Sequence, residues 1–297
     1  MLGFSLARIP YMNIAGSSSS SFKNSSSPGE WYHYRNGHYR IGITMHLGAI
    51  IPAGILMVFQ FVPVLRYKFL TFHRVNGYII ILLVFIGNAG GLMIARRAFG
   101  GGLDTQSVVG VLVILSTVSI FMGYYNIKKL QIEQHRAWML RAMFYLGTII
   151  TTRIIMILSA LIISSIGSYY QIQTCGQVSF IHESIQKANE LYPECINATE
   201  NTNIIVHAQF GSQAEQIGAS LGLGFGMSIW LSLLLHAVGV EIYLNLTPRE
   251  AERLRRVSYE RQLEAGFKNP GSAGLTVDRW GDAESWTPPT STNGAKD

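Results

Sequence analysis

The sequence predicts an all-α fold, a polytopic membrane helical bundle with about five transmembrane helices. Hydrophobic residues make up 48% of the chain and charged residues only 13%, whereas a soluble domain carries about 25% charged residues. The apolar residues also concentrate in five runs, each near the roughly 20 residues that a spanning helix needs. Since a bilayer core offers no water to the backbone, each run should be helical.

The five predicted spans cover residues 41–65, 76–96, 107–126, 138–166 and 217–243. The first four form a predicted four-helix membrane core over 41–166, and the fifth transmembrane helix is placed within 217–246. The segments RYKFLTFHR and KKLQIEQHR precede spans 2 and 4 and can be aligned, which suggests a tandem hairpin repeat of spans 1–2 and 3–4. Gly218, Gly222 and Gly226 share one helix face, a spacing that favours close helix packing in lipid.

Three segments lie outside the spans. Residues 1–40 contain SSSSSFKNSSSPGE and are predicted to be a disordered, outward-facing tail. Residues 167–216 form a long polar loop on the same side. Residues 247–297 are predicted to be a cytoplasmic tail that begins with a capping box at Thr247 to Glu250, continues as a short surface helix and ends in disorder.

Lys and Arg near the span ends predict the orientation. They concentrate in the first and third connections and after the fifth span, so that side should be cytoplasmic and the N-terminus outside or lumenal. Arg96 and Arg97 lie on the opposite side and argue weakly against this topology. The formal net charge of +6 is accounted for by these edges, so nucleic acid is not a predicted partner, and the predicted contact is the lipid bilayer.

The long loop carries chemistry expected outside the cytoplasm. It contains Cys175 and Cys195, the two cysteines of the chain, and a disulfide between them is plausible in an oxidising compartment. Asn197-Ala-Thr and Asn24-Ser-Ser are glycosylation acceptor patterns. The expected modifications are therefore a disulfide in the loop and glycans on Asn197 and Asn24.

Two His-Arg pairs lie near the predicted cytoplasmic ends of spans 2 and 4. They are His73-Arg74 and His135-Arg136. Arg is a common topology signal at a span end, but neutral His is not. The two imidazoles, with His46 as a third candidate, could ligate the iron of a b-type haem while the Arg residues neutralise its propionates. No other metal is predicted.

Arg153 lies about fifteen residues past the cytoplasmic edge of span 4, roughly 22 Å along a helix. A charge at that depth is a functional candidate by default. In the five predicted spans, Asp and Glu occur only at the edges, where Glu133 and Glu241 lie. An anionic group of a ligand could therefore neutralise the charge of Arg153, because the guanidinium fork suits carboxylate and phosphate. Further candidate ligand-binding residues, which share its helix or its polar surroundings, are Arg141, Asn88, Tyr145, Thr148 and Thr152.

Several of these motifs together resemble a family of predicted membrane proteins, the domain of unknown function 2306. The matching elements are His46, Arg66, HRVNG at 73–77, the pair Gly90-Gly91, HRAWMLR at 135–141 and Arg153. They span roughly residues 40–165. The resemblance implies a helical membrane bundle with His near its span ends, and it implies no particular activity.

Three functions are consistent with these features. The first is a membrane redox protein that binds b-type haem or a quinone-like ligand. The second is a carrier or binding protein for a small amphipathic anion, for which a homodimer would be expected. The third is a non-catalytic scaffold or pathway accessory protein. The sequence has no P-loop, HExxH or Gly-x-Ser-x-Gly motif, and whether the protein is an enzyme, for example an intramembrane cyclase or isomerase, stays open.

Overall fold

A computed structural model of the chain describes residues 1–288. The helices are α1 Leu2–Ala7, α2 Phe22–Ser25, α3 Glu30–Tyr34, α4 Gly37–Gln60, α5 Pro63–Lys68, α6 Leu70–Ile94, α7 Leu103–Lys128, α8 Ile132–Ile166, α9 Cys175–Ile181, α10 Ile185–Leu191, α11 Ala214–Asn245, α12 Pro248–Glu264 and α13 Val277–Trp280. Two strands, β1 Tyr170–Thr174 and β2 Asn203–His207, pair antiparallel.

Within residues 1–288, five helices are long and apolar enough to cross a membrane. They are α4, α6, α7, α8 and α11, which confirms the predicted fold class. The helices extend past the apolar runs, as when α8 begins at Ile132 rather than at 138. Polar residues at a membrane edge can still continue the helical hydrogen bonds. The tandem repeat of hairpins stays a prediction.

The chain divides into two compact units. Unit 1 comprises Met1–Val113 and Gly147–Leu233, and unit 2 comprises Ile114–Leu146 and Leu234–Asp297. Each unit is described below by itself.

The prediction that residues 1–40 are disordered is wrong. In unit 1 they form α1, α2 and α3, and the side chains of Phe22, Trp31 and Tyr34 pack against Ile43 and Ile94. The serine-rich stretch folds because its polar side chains satisfy its own backbone. Examples are the bonds from Ser21 to Gly16 O, from Asn24 to Ser18 O and from Ser25 to Ser19 O. Aromatic burial, which the low-complexity composition obscured, offsets the entropy of ordering.

The loop 167–216 in unit 1 is structured around β1, β2, α9 and α10. The predicted disulfide is confirmed, since Cys175 and Cys195 are bonded with their Cα atoms 5.6 Å apart. Both sulfurs lie in an apolar cluster that includes Val178 and Val206. The loop is therefore a small disulfide-bonded subdomain.

The tail of unit 2 also differs from the prediction. The surface helix is present as α12, but residues 265–288 dock rather than remain disordered; residues 289–297 lie outside the described part of the chain. Gln131 and Gln262, both buried, are linked by a hydrogen bond of 2.9 Å. The Gly271 and Gly274 N–H groups donate to these two amide oxygens. Buried amides must be hydrogen-bonded, and this network supplies their partners.

Glycines bring α4 and α6 into backbone contact in unit 1. A Cβ at Gly90 would lie 2.6 Å from both the Gly42 carbonyl oxygen and the His46 backbone nitrogen. The His46 ring Nδ1 lies 2.8 Å from the Gly87 carbonyl oxygen. Small residues permit such an approach, which provides the dispersion and polar contacts that hold helices together in lipid.

Candidate functional site

A buried acid faces the deep arginine in unit 1. We call the group Glu30, Tyr34, Phe99, Arg153 and Phe225 the acid–arginine site. Glu30 begins α3 and is only 7% exposed. Its Oε1 accepts the Phe99 backbone N–H at 2.8 Å, the Tyr34 hydroxyl donates to the carboxylate, and Arg153 attracts it electrostatically. The N-terminal segment thus supplies the acid that faces Arg153.

Glu30 titrates near neutral pH because it is buried. Burial raises the pKa of its carboxyl from an ordinary value near 4.5 to about 7. The Phe99 N–H, the Tyr34 hydroxyl and the Arg153 charge each favour the carboxylate and oppose that rise. Burial, and then the adjacent Glu30 charge, raises the pKa of the Tyr34 hydroxyl. A carboxyl group with such a pKa can give or take a proton at physiological pH.

The Arg153 guanidinium lies against aromatic rings. Its central carbon is 4.9 Å from the Phe99 ring centroid and 6.0 Å from that of Phe225. The two rings stack with centroids 4.3 Å apart. Within residues 1–288 no carboxylate oxygen lies within 4.0 Å of the Arg153 nitrogens. Cation–π contact stabilises the charge but does not use the N–H donors of its fork.

Backbone constraints hold the site in place. Phe99 adopts a positive φ of 50° in the 3₁₀ turn Ala98–Gly100, a conformation that is costly for a bulky residue and typical of functional sites. On α11, a Cβ at Gly218 would lie 2.5 Å from the Pro28 carbonyl oxygen, and one at Gly222 would lie 3.1 Å from the Phe99 carbonyl oxygen. The glycine face predicted for packing therefore receives the two segments that carry Glu30 and Phe99.

The candidate haem ligands are distributed over both units. In unit 2 the His135 Nδ1 lies 2.9 Å from the Gly123 carbonyl oxygen, as His46 does with Gly87 in unit 1. In unit 1, His73 lies near the start of α6, where its carbonyl oxygen accepts a bond from Gln60, and the neighbouring Arg74 is exposed. Within residues 1–288 there is no cluster of three His, Cys, Asp or Glu residues that could hold a metal ion.

The basic residues predicted in unit 2 have protein partners. Arg141 forms a two-point ion pair with Glu241, at 2.6 and 2.9 Å, and lies over the Trp138 ring. Arg136 donates to the Tyr243 hydroxyl and to Thr247. A bidentate pair uses the fork that a ligand would need. These contacts favour a structural role for both residues.

The remaining ligand-binding candidates are mostly internal to the bundle. Tyr145 is 8% exposed, in unit 2. In unit 1, Thr148 and Thr152 are fully buried, and the Thr152 hydroxyl donates to the Thr148 carbonyl oxygen at 3.0 Å. Asn88 lies on α6, half-buried. These positions show polar groups inside the helices, and their role in binding stays a prediction.

The two predicted glycosylation sites differ in geometry. Asn197 is exposed and has a φ of 60° at the surface of the disulfide-bonded subdomain. The Asn24 side-chain nitrogen instead donates to the Ser17 and Ser18 carbonyl oxygens, which competes with glycan attachment.

We expect Asn197→Gln to remove most of the glycan, because Asn197 is the exposed acceptor of the two. After expression in a eukaryotic host, the wild type should shift on a gel when treated with a glycosidase. Asn197→Gln should migrate like the treated wild type, and Asn24→Gln should migrate like the untreated one. An unshifted wild type would refute the glycan and would remove one argument for the outward orientation of this loop.

Glu30 is the residue that the sequence interpretation missed. It lies in PGEWYHY, just after the serine-rich stretch. A signal was present, because an acid among three aromatic residues is typical of a folded segment and not of a solvated tail. Its partner Arg153 lies far along the chain, so the pairing itself required the fold.

The fold and the acid–arginine site define an integral, multi-pass membrane protein with a charged group held deep in its helical bundle. Residues 43–179 match the family model described as "Predicted membrane protein (DUF2306)", which confirms the resemblance predicted from the sequence. A curated relative from Aspergillus versicolor, "Ava biosynthesis cluster protein G", is 25% identical over 248 residues, with 72% of this chain and 72% of the relative covered. No solved structure matches the chain.

Proposed function

We propose that the protein binds a small amphipathic molecule at the acid–arginine site, with an anionic or carbonyl oxygen of the ligand at Arg153. The observation that carries this proposal is the Arg153 guanidinium, which lies against the Phe99 and Phe225 rings with no ion pair within residues 1–288. A ligand oxygen would accept from the N–H donors of the fork, while its apolar part would lie among aromatic and aliphatic side chains.

The charge balance supports an anionic ligand. Arg8 is close enough to Arg153 to repel it electrostatically, and the Arg8 guanidinium lies 5.1 Å from the Tyr11 ring centroid. The one acid in the site that could balance these two cations is Glu30, and it is largely neutral at pH values below its pKa of about 7. The site therefore carries net positive charge, and an anion would relieve the repulsion between the two guanidinium groups.

The name of the A. versicolor relative refers to a biosynthesis cluster. A membrane protein that binds an amphipathic small molecule fits a step in which a metabolite is held, moved or converted at a bilayer. The proposed function is therefore a binding or carrier role in small-molecule biosynthesis. Glu30 provides a proton-exchanging group should the step include proton transfer.

We expect Arg153→Gln to abolish binding of the native ligand, because Gln removes the charge and the two-point fork. Full-length wild type and variant would be purified from the same host, and the apolar anions extracted from each would be compared by mass spectrometry. At least one species should be enriched more than tenfold in the wild type. Arg153→Lys should retain part of it, because Lys keeps the charge but lacks the planar fork.

The matched control is Arg74→Gln, which removes an exposed Arg from α6 and should leave the extract unchanged. Extracts that are identical for wild type and Arg153→Gln, with both proteins folded, would contradict the proposal.

Electron transfer through a b-type haem is the second candidate. It is favoured by the rings of His46 and His135, whose Nδ1 atoms are hydrogen-bonded to helix carbonyl oxygens. When Nδ1 donates, Nε2 is left as the nitrogen with a lone pair, an arrangement common in metal-binding His. The close packing of His46 against Gly90 gives an equally complete structural account of that ring. A Soret band in purified wild type that disappears in His135→Ala would support haem, and its absence after haem reconstitution would eliminate it.

A further inference from the structure

A basic concavity of about 190 Å³ lies in unit 2, between the end of α7 and the segment that follows α12. Lys129, Lys268 and Arg279 line it, together with Asn269 and Ser272, and none of its lining residues is acidic. One water occupies about 30 Å³ of liquid, so the space is large enough for a phosphate group.

The basic residues of the concavity lack the ion pairs that the basic residues of the adjacent helix α12 form. On α12, Arg253, Arg256 and Arg261 are paired with Glu250, Glu252 and Glu264. Within residues 1–288, no ion pair involves Lys129, Lys268 or Arg279. Asp278, the nearest acid in the sequence to Arg279, is paired with Arg255 at 2.7 Å. Lys129 and Arg279 instead lie near the aromatic rings of Tyr125 and Trp280, so no carboxylate of residues 1–288 neutralises the charge of the concavity.

Two of the three cationic residues are tied to the tail of unit 2 by hydrogen bonds. The Lys129 carbonyl oxygen accepts from the buried Gln262 amide at 2.9 Å, and the Arg279 guanidinium donates to the Ala273 carbonyl oxygen. The segment 271–274 between them is fixed through Gln131. Like charges held together in this way repel, and a bound anion would offset that repulsion.

The concavity lies next to the end of a candidate membrane span. Lys129 follows the last residue of α7, which is one of the five candidate spans. Trp280 and Val277 on α13 are each 65% exposed, and exposed Trp beside a span end is typical of the lipid headgroup level. A cluster of basic residues at that level is attracted to anionic lipid.

We propose that Lys129, Lys268 and Arg279 form a binding site for a phosphate group, of the kind carried by the headgroups of anionic phospholipids. All three residues belong to unit 2, and their proposed role does not depend on the function of the acid–arginine site. It anchors the docked tail to the bilayer surface, because the ligand contacts the residue after α7, the segment after α12, and α13.

The test is a titration of the full-length protein in detergent with dioctanoyl phosphatidic acid. Lys268 is exposed and takes no part in the hydrogen bonds of the described part of the tail, so Lys268→Gln should not disturb the fold. The variant should weaken binding about tenfold, which corresponds to the loss of one charge-assisted contact of about 1.4 kcal/mol. The double variant Lys129→Gln/Lys268→Gln should weaken it further. Arg261→Gln, which removes the same charge from a paired Arg on α12, should change the affinity less than twofold.

Inorganic phosphate distinguishes the two sources of the group. If phosphate alone binds as tightly as the lipid with the same dependence on Lys268, the site stands and its ligand is soluble phosphate. If the lipid binds more tightly, the ligand is a headgroup. Lipid and phosphate binding that is insensitive to the double variant, or that falls equally in Arg261→Gln, would overturn the proposal.

Discussion

Glu30→Gln is expected to raise the free energy of unfolding by about 3 kcal/mol at pH 8 and to change it little at pH 4. Burial raises the pKa of the Glu30 carboxyl from near 4.5 to about 7, and one pKa unit is worth about 1.4 kcal/mol. The folded state keeps this proton to a higher pH than the unfolded state does. Wild-type stability should therefore fall as the pH rises from 4.5 to 7, with the full penalty present above 7.

Gln removes the ionisation but keeps the geometry. Its side-chain oxygen can still accept the Phe99 N–H, so the variant should fold with the same 3₁₀ turn. Detergent-solubilised wild type and variant would be unfolded with a denaturant at several pH values while Trp fluorescence is followed. The two stability curves should meet at low pH and separate above pH 5.

The control is Glu260→Gln, the same chemical change on the exposed face of α12, which should run parallel to the wild type at every pH. Parallel curves for wild type and Glu30→Gln would show that Glu30 is not buried as the structure has it.

The same ionisation should control binding at Arg153. The charged Glu30 carboxylate competes with a ligand anion for the field of the guanidinium group, so retention of an anion by the wild type should weaken above pH 7. Glu30→Gln should hold the anion equally well at pH 6 and pH 8. A wild type that binds more tightly at pH 8 would indicate that Glu30 must be ionised for binding, as expected of a general base and not of a competing anion.

The spans could be predicted because the bilayer restricts them so strongly. A backbone that must satisfy itself in lipid requires long apolar helices, and five such runs are visible in the sequence. The position of Arg153 in the middle of a long apolar helix could be read from the sequence for the same reason. The acid that faces Arg153 could not, because Glu30 comes from a segment whose serine content suggested disorder, and its approach depends on glycines of α11 that are distant in sequence.

The protein partner of one inner basic residue could not be predicted, for a different reason. Arg141 was predicted to bind a ligand because it lies on the same helix as Arg153, and Glu241 was placed at the edge of a predicted span. In the folded unit 2 the helix continues past that edge, and Glu241 reaches Arg141 with both carboxylate oxygens. The sequence pattern indicates where along a helix a charged residue lies. It does not indicate which residue of a neighbouring helix will pair with it.

Gly90→Val is expected to lower the free energy of unfolding by about 3 kcal/mol, at the upper end of the range for overpacking. The added Cβ would lie 2.6 Å from the Gly42 carbonyl oxygen and the His46 backbone nitrogen. Both atoms belong to the α4 backbone, so no side-chain rotation can relieve the overlap. The helices must separate, which also lengthens the bond between the His46 ring and Gly87.

Gly48→Val provides the matched control, because a Cβ at Gly48 on the same α4 meets nothing within 4 Å. It should be neutral or slightly stabilising, since Val has the higher helix propensity. Thermal unfolding of both variants in one detergent would measure the difference. Equal midpoints for the two would mean that α4 and α6 do not approach closely at Gly90.

Gly90→Val should also reduce the pH dependence that Glu30 causes. The helix α3, which begins with Glu30, is joined to α4 by only Arg35 and Asn36, and the Tyr34 side chain packs with Ile43 and Ile94 on α4 and α6. Separating these helices lets water reach the Glu30 carboxyl and returns its pKa toward the ordinary value. A flatter stability curve in Gly90→Val than in Gly48→Val would show that the glycine contact between helices maintains the buried acid.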